Sequence, residues 1–386
     1  MSLVKVPFIA GGPVAGQYFV NREEELEKIS LLVKAGRSVA IISPRRYGKT
    51  SLLISLRRSL ESENFLVGYI DCMTVPDLAD LSQEIAEAIL QNEPRVLKLL
   101  RDVWTGAKGA IAEAMRRVRE LEVEISDILT IHVEFAEGKG DARKLLESSL
   151  DFVEKYAQKI RKRMILILDE FGELQSKDSE LLRLMRSRIQ FHKSVSYIIS
   201  GSQVHTLKYI ATSKASPFFG FFEVFLLDQL PEEDVKEFLE KRYREFGIEP
   251  KLEAINTLIS KVGGHPFYVQ KLALRAYLDI IAGKKMLSSG VVESAYEEMI
   301  SELTPLFEAM LSDLSKASIQ LKVLKVMAKR DTSSPYVILG EDKTLVPQKV
   351  KQAVDQLIRK GYLKKMKRGR YEFIDFAFKD YLKRII

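Results

Sequence analysis

The 386-residue sequence has little of the residues that build disulfide frameworks and metal clusters: one cysteine, one tryptophan and four histidines. A single cysteine, Cys72, excludes a disulfide framework and fits a reducing compartment, so we expect a cytoplasmic protein. Without a second cysteine and with few histidines, Cys72 is better explained as a small core residue than as a ligand or nucleophile.

Long apolar runs are also missing. No stretch approaches the roughly 18 apolar residues that a membrane span requires, so no membrane partner is expected. The first twenty residues lack the basic, apolar and small-residue regions of a signal peptide. The composition is 46% hydrophobic and 29% charged, which is typical of globular proteins and sufficient for two or three domains. The net charge of +7 leaves two interpretations open, an acidic partner such as nucleic acid or a lysine-rich solvated surface.

Apolar segments alternate with helical patterns in the first 230 residues. Short, nearly continuous apolar runs predict five buried strands, at 38–43, 65–72, 164–170, 196–202 and 223–230. This alternation predicts an α/β fold, a doubly wound parallel sheet of the P-loop NTPase type with helices on both faces. Residues 120–125 and 129–135 instead alternate apolar and polar side chains, so we expect a β-hairpin insertion at about 117–136.

The rest of the chain is different in pattern. Residues 231–311 are helical throughout and predict a helical lid domain. Residues 312–386 contain two helical patterns, a Gly-Tyr-Leu turn and a basic hairpin, an order typical of a winged helix-turn-helix domain. The sequence therefore predicts three domains, at 1–230, 231–311 and 312–386.

The segment "SPRRYGKTSLL" (43–53) lies between a predicted strand and a predicted helix. It nearly matches the phosphate-binding pattern G-x-x-x-x-G-K-[ST], in which backbone N–H groups at a helix N-terminus bind phosphate oxygens. Lys49 is expected to reach the β- and γ-phosphates and Thr50 to bind Mg²⁺, while Gly48 gives the backbone freedom needed before the lysine. Ser43 occupies the place of the first glycine. The other expected nucleotide-contacting residues of this segment are Pro44, Arg45, Arg46, Tyr47 and Ser51. For Arg45 and Arg46, contact with a partner subunit and solvated surface charge are the alternatives.

Acidic and hydroxyl side chains follow two later strands. Asp169 and Glu170 end the third predicted strand, at the sheet edge where ligands of α/β proteins bind. We expect Asp169 to orient Mg²⁺ and Glu170 to polarise an attacking water. Ser200-Gly201-Ser202 ends the fourth strand, and Ser202 is a candidate γ-phosphate sensor, a strand-ending turn being the alternative.

With these motifs the chain resembles the archaeal ATPase family of the STAND clade, which is close to the AAA+ proteins. The similarity includes "FVNREEELEKI" (19–29), "SPRRYGKTSLL", "LILDEFGEL" (166–174), "IISGS" (198–202) and "GGHPFYVQ" (263–270), in the family's order. The resemblance implies ATP or ADP and Mg²⁺ as cofactors, with Asn21 and Arg22 near the adenine. It also implies Pro266 from the lid and His265 as a phosphate contact, although a helix break before a first-turn proline explains that segment equally well. Phe221 stands where the family often has an arginine, so the sequence assigns no arginine finger at that position.

The C-terminal region is strongly basic. In a winged helix the second helix enters the major groove and the wing contacts phosphates. Double-stranded DNA is therefore a candidate partner, and packing within the protein is the alternative; a protein partner or self-association is a further candidate. The expected nucleic-acid contacts are Lys349, Lys351, Lys364, Lys365, Lys367, Arg368 and Arg370.

Three functions are compatible with these observations. The first is a Mg²⁺-dependent ATPase that acts as a nucleotide-driven switch with slow hydrolysis. The second is a nucleotide-gated DNA-binding protein resembling origin-recognition initiators, in which hydrolysis is incidental. The third is a phosphotransferase, and Glu170 argues against it because a kinase must exclude the water that such a residue activates.

Overall fold

The structure, a computed structural model, describes residues 5–14, 16–19, 22–177, 180–283, 286–315 and 318–386. Its centre is a parallel sheet of five strands, in the spatial order β2-β3-β4-β1-β5. These strands are β1 (Ser38–Ile42), β2 (Leu66–Asp71), β3 (Met164–Asp169), β4 (Val195–Gly201) and β5 (Phe222–Leu226). The five predicted strands and the parallel α/β class are thus confirmed, but the expected burial is wrong for the edge strand β5, in which only Phe222 is buried. The residues of β1, β3 and β4 are buried throughout, as expected for strands that are covered on both faces.

Helices cover both faces of the sheet. Helices α1 (Glu23–Lys34) and α2 (Lys49–Ser62) pack on one face through a core that includes Val33, Leu53 and Leu56. The larger core on the other face involves α3 (Leu78–Ile89), α4 (Pro94–Trp104), α5 (Ala110–Arg117), α6 (Val123–Ala136), α7 (Ala142–Lys159), α8 (Gly172–Lys177), α9 (Leu181–Ile189) and α10 (Val204–Thr212). This two-sided arrangement leaves the carboxyl ends of the central strands open at one edge.

The expected β-hairpin at 117–136 is wrong. Residues 118–120 form a short 3₁₀ turn, and α6 occupies 123–136. The buried residues of α6 are Ile125, Ile128, Leu129, His132 and Val133, and their spacing of three and one is helical. The apparent two-residue alternation depended on residues such as Val123, which is 71% exposed. The connection from β2 to β3 is therefore entirely helical.

Beyond the sheet the chain is mainly helical. The lid region consists of α11 (Glu232–Glu245), α12 (Leu252–Val262), α13 (Pro266–Gly283) and α14 (Ser289–Ser315). The part that we name the C-terminal unit follows, with α15 (Ser318–Lys329), α16 (Ile338–Glu341), α17 (Pro347–Arg359), an antiparallel hairpin of β6 (Leu363–Lys367) and β7 (Arg370–Phe373), and α18 (Phe376–Arg384). One hydrophobic core is shared by the lid region and the C-terminal unit, so the two pack as neighbours.

Two contacts tie the lid region to earlier parts of the chain. At Gly264, a side chain would clash with the carbonyl oxygen of Leu230, and Leu230 N donates to Gly264 O at 2.8 Å. Glycine is therefore required at position 264, where the lid packs against Leu230 in the segment that follows β5. Near the start of the chain, Phe8 is fully buried against Phe238 and Tyr243 of α11. None of the described helices is long and apolar enough to cross a membrane.

Candidate nucleotide site

The candidate site lies where the central strands end. Strand β4 lies between β1 and β3, so the loop after β1 and the acidic end of β3 flank the end of β4. Helix α2 begins at Lys49, directly after Gly48, whose φ is 84°. The sequence thus brings a helix N-terminus, two carboxylates and two serines to one edge of the sheet.

Lys49 forms the centre of this arrangement. Its Nζ lies 2.5 Å from Asp169 Oδ1 and 2.6 Å from Glu170 Oε1. The side chains of Lys49 and Asp169 are only 6% and 5% exposed. Because both side chains are removed from water, the attraction between them offsets the cost of burying each charge.

Asp169 has three hydroxyl neighbours in addition to the lysine. Ser200 Oγ donates to Oδ1 at 2.5 Å, while Tyr69 OH at 2.8 Å and Thr50 Oγ1 at 3.4 Å approach Oδ2. Burial alone raises the pKa of Asp169, but Lys49, Ser200 and Tyr69 together bring it below its usual range. Asp169 is therefore held as a carboxylate. Tyr69 was not expected from the sequence; it lies two residues before the end of β2, and β2 pairs with β3.

Glu170 is positioned by backbone geometry and by Ser202. Its φ of 51° is unusual for a residue other than glycine. Oε2 accepts hydrogen bonds from Ser202 N at 2.8 Å and from Ser202 Oγ at 3.0 Å, while Oε1 faces Lys49. The structure thus places Ser202 as the residue that orients Glu170.

The backbone conformation of the phosphate-binding loop explains why a serine is tolerated at its first position. The left-handed backbone conformations of this loop are at Arg46 (φ 69°) and Gly48 (φ 84°), and Ser43 has no positive φ. Ser43 is 1% exposed, and its Oγ donates to Pro44 O at 3.2 Å. The first glycine of the pattern is therefore not required by backbone conformation here.

A cavity of about 570 Å³ lies over this loop, a typical size for a small-molecule site. Among the residues that line it, the sequence analysis expected Arg22, Pro44, Arg45, Arg46, Tyr47, Gly48, Lys49, Thr50, Ser51, Glu170, Ser202 and Pro266. Asn21 lies outside the described residues. Arg22 is 6% exposed, and its guanidinium donates hydrogen bonds to Glu25 Oε1, at 2.7 Å, and to the carbonyl oxygen of Asp228.

Part of the cavity wall was not anticipated. The lining residues near the start of the chain are Ile9, Gly11, Gly12, Pro13, Val14, Tyr18 and Phe19. Gln270 of α13 holds this segment, since its Oε1 accepts from Ile9 N at 3.1 Å and its Nε2 donates to Tyr18 O at 2.8 Å. Val14 N also donates to Ser51 Oγ at 3.0 Å. The pair Gly11-Gly12 after apolar Phe8 was the only sequence signal.

His265 is not among the residues that line the cavity. It is 2% exposed, and Tyr47, which does line the cavity, packs edge-on against the imidazole at 4.6 Å between ring centres. Burial lowers the pKa of His265 to about 3, so the ring is neutral. This position does not support the expected phosphate contact, because the ring is covered by the tyrosine and carries no charge.

The residues present fit a magnesium ion. Mg²⁺ is usually held by one or two carboxylates together with substrate phosphates and waters. Thr50 and Asp169 offer a hydroxyl and a carboxylate side by side at the loop. Among the described residues no group of three or more acidic, histidine or cysteine side chains forms a dedicated metal cage. Thr50 and Asp169 therefore suit an ion whose remaining ligands are phosphate oxygens and waters.

The basic residues of the C-terminal unit divide into two groups. Lys364 is half-buried and faces Glu372 at 3.4 Å and Asp228 at 3.8 Å. Arg370 NH1 donates to Ser333 Oγ at 3.0 Å. Six of the seven expected DNA contacts are exposed, namely Lys349, Lys351, Lys365, Lys367, Arg368 and Arg370. Helix α17, which carries the first two, lies against α10 of the sheet region.

Comparisons with known proteins identify a family and similar folds. Residues 19–272 match the family model described as an ATPase domain predominantly from Archaea. A search of curated proteins finds no match. Among solved structures, the chain is similar to a Walker-type ATPase of Pyrococcus abyssi, with 17% identity, a TM-score of 0.69, and coverage of 98% of this chain and 100% of the other.

The Aeropyrum pernix ORC2 protein, solved as ADPNP and ADP complexes, is also similar, with 16% identity, a TM-score of 0.56, and coverage of 94% of this chain and 92% of the other. At these identities the two structures support the fold only. The family match covers most of the chain, including the loop at Lys49 and the acidic pair Asp169-Glu170. The chain therefore belongs to the family of ATPase domains found predominantly in Archaea.

Proposed function

We propose that the protein is a Mg²⁺-dependent ATPase that turns over slowly and acts as a nucleotide-driven molecular switch of the STAND type. The observation that carries this proposal is the placement of Lys49 between Asp169 and Glu170, at 2.5 and 2.6 Å, on the wall of a nucleotide-sized cavity. Lys49 and the N-terminus of α2 bind the β- and γ-phosphates, and Thr50 with Asp169 holds Mg²⁺. When bound, the ion neutralises charge on the phosphate oxygens.

Glu170 is the general base in this proposal. Ser202 donates to Oε2 of Glu170, and Lys49 donates to Oε1. When nucleotide binds, its phosphates compete with Oε1 for Lys49. Once Lys49 turns to phosphate, Oε1 is free to accept a proton from an attacking water. The domain division that we propose for the switch is 1–230 for the ATPase core, 231–311 for the lid and 312–386 for a winged helix. Because α14 continues to Ser315, we place the end of the lid at that residue instead of at 311.

ATP turnover tests this function. The measurement is phosphate release by wild type, Lys49→Ala and Glu170→Gln, each with and without duplex DNA. We expect turnover in the wild type only, with nucleotide binding lost in Lys49→Ala and retained in Glu170→Gln. Binding of ATP without turnover, together with unchanged behaviour of Glu170→Gln, would favour a nucleotide-gated binding protein over an ATPase.

DNA binding is the second candidate function, and the exposed cations of the hairpin favour it. Lys365, Lys367 and Arg368 lie within four residues and are exposed. If they bind phosphates, affinity for duplex DNA falls steeply with salt and with the double change Lys365→Glu plus Arg368→Glu. The matched control is Lys98→Glu plus Lys108→Glu, which alters the net charge equally at exposed positions of the sheet region. Equal losses in both double variants, or no salt dependence, would exclude this partner.

A further inference from the structure

Tyr47 is a residue of the phosphate-binding loop that both lines the cavity and contacts the C-terminal unit. It lies between the two left-handed residues of the loop, Arg46 and Gly48, and is 1% exposed. Its hydroxyl donates to the carbonyl oxygen of Ile374 at 3.2 Å, across 327 residues of chain. Burial raises the pKa of Tyr47 to about 12, so the hydroxyl keeps its proton and acts as a donor. Ile374 follows β7, so the loop is bonded directly to the C-terminal unit.

The surroundings of Tyr47 make this contact part of a buried cluster. The Tyr47 ring packs on His265, and the centre of the His265 ring lies 4.5 Å from that of Tyr268 in α13. Tyr268 OH donates to Asp375 Oδ2 at 2.6 Å, and Asp375 caps α18 by accepting from Phe378 N at 2.9 Å. The loop, the lid and the C-terminal unit therefore meet in one cluster.

The same loop residues form the wall of the cavity. Arg46, Tyr47 and Gly48 all line it, and the Arg46 guanidinium lies 4.6 Å above the ring of Phe267 in the lid. The backbone of this loop can hold phosphate only in a narrow range of conformations, because its N–H groups must converge on the phosphate oxygens. A bond that fixes Tyr47 therefore also fixes the N–H groups beside it.

We propose that Tyr47 is a positioning residue through which docking of the C-terminal unit and binding of nucleotide favour each other. This inference rests on the proposed nucleotide site and adds the contact that regulates it. With Tyr47 bonded to Ile374, the loop is preorganised for phosphate and the nucleotide binds more tightly. Coupling between two binding events is reciprocal, so nucleotide strengthens docking of the C-terminal unit by the same factor.

The first test measures equilibrium binding of fluorescent ADP, which separates binding from hydrolysis. Tyr47→Phe keeps the ring and removes only the hydroxyl. We expect its Kd for ADP to rise about two- to tenfold, the range for one lost hydrogen bond. Tyr243→Phe is the matched control, since its hydroxyl donates to Ala273 O at 3.0 Å entirely within the lid. We expect this control to bind ADP as the wild type does.

The second test measures hydrogen exchange of the full chain with and without ADP. In the wild type, ADP is expected to slow exchange of the backbone amides at 363–384, although these residues do not line the cavity, and Tyr47→Phe is expected to reduce that protection. An unchanged Kd in Tyr47→Phe, or no effect of ADP on these amides in the wild type, would overturn the inference. Absence of nucleotide binding by the wild type would overturn the proposed function as well.

Discussion

The change Lys49→Met tests whether the lysine is what keeps Asp169 ionised in the folded protein. In the native protein the pKa of Asp169 lies below its usual range although burial raises it. Methionine fills a similar volume but removes the cation at 2.5 Å from Oδ1. Ser200 and Tyr69 still donate to Asp169, but they bring no charge. The pKa of Asp169 in the variant must therefore rise above its value in the unfolded chain.

The size of the effect follows from burial. Both side chains are at most 6% exposed, and breaking such a pair on one side costs about 3–5 kcal/mol. The native carboxylate, with its lowered pKa, contributes stability that is present above the unfolded pKa of about 3.9 and is lost as pH falls. In the variant the folded pKa is the higher one, so protonation favours the folded state. The difference in unfolding free energy between wild type and variant should therefore be largest near neutral pH and smaller in mild acid.

Urea unfolding without nucleotide measures this difference. Trp104, the only tryptophan, lies in α4 and reports on the sheet region by fluorescence. We expect the double variant Lys49→Met plus Asp169→Asn to regain much of the lost stability, because it removes the unpaired charge. Lys28→Met is the control, since Lys28 is 64% exposed and its pair with Glu24 contributes at most about 1 kcal/mol. A double variant no more stable than Lys49→Met, with a loss independent of pH, would refute the reasoning.

Three further predictions concern single residues. Glu170→Gln should lower phosphate release about 10²–10⁴-fold while nucleotide affinity is retained, and unchanged turnover would exclude its role as base. Tyr69→Phe removes a donor to Asp169 Oδ2, so the Mg²⁺ concentration for half-maximal turnover should rise about tenfold; an unchanged requirement would contradict this. Burial lowers the pKa of His132 to about 4 and of His265 to about 3, whereas both have a pKa of about 6.5 when unfolded. The free energy of unfolding should therefore fall as pH decreases below about 6.5, by about 2 kcal/mol for each histidine at about pH 5. In urea unfolding, His132→Gln should remove the contribution of one histidine to this pH dependence. An unaltered pH profile in this variant would disprove the account.

The parts of the site that follow a local rule were predictable from the sequence. A buried strand that ends before Lys49 and another that ends at Asp169 must present both residues at the same edge of a parallel sheet. The spacing around Gly48 gives the loop its left-handed residue and the start of α2. These features depend on near neighbours in the chain, and so a single sequence contains them.

Where two local rules competed, the sequence alone favoured the wrong one. In 123–136 the alternation of apolar residues and the helical spacing overlap, and burial of Ile125, Ile128 and Leu129 against α4 and α7 selects the helix. Local secondary-structure propensity does not decide between strand and helix in this region, because the buried face of the helix is defined only by the neighbouring helices. Hence tertiary packing decided the region in which the pattern was ambiguous.

Residues far apart in the chain account for the rest. Tyr47 occupies a position at which the phosphate-binding pattern accepts any residue, so the pattern predicts a place beside the nucleotide but no contact outside the loop. Its role depends on Ile374 and on the ring of His265, and neither can be inferred from the residues around Tyr47. The same holds for Phe8 and Gln270, which join the first residues of the chain to the lid. Because Tyr47 connects the cavity wall to the C-terminal unit, and Gln270 connects it to the lid, we expect a movement of either region to alter the proposed nucleotide site.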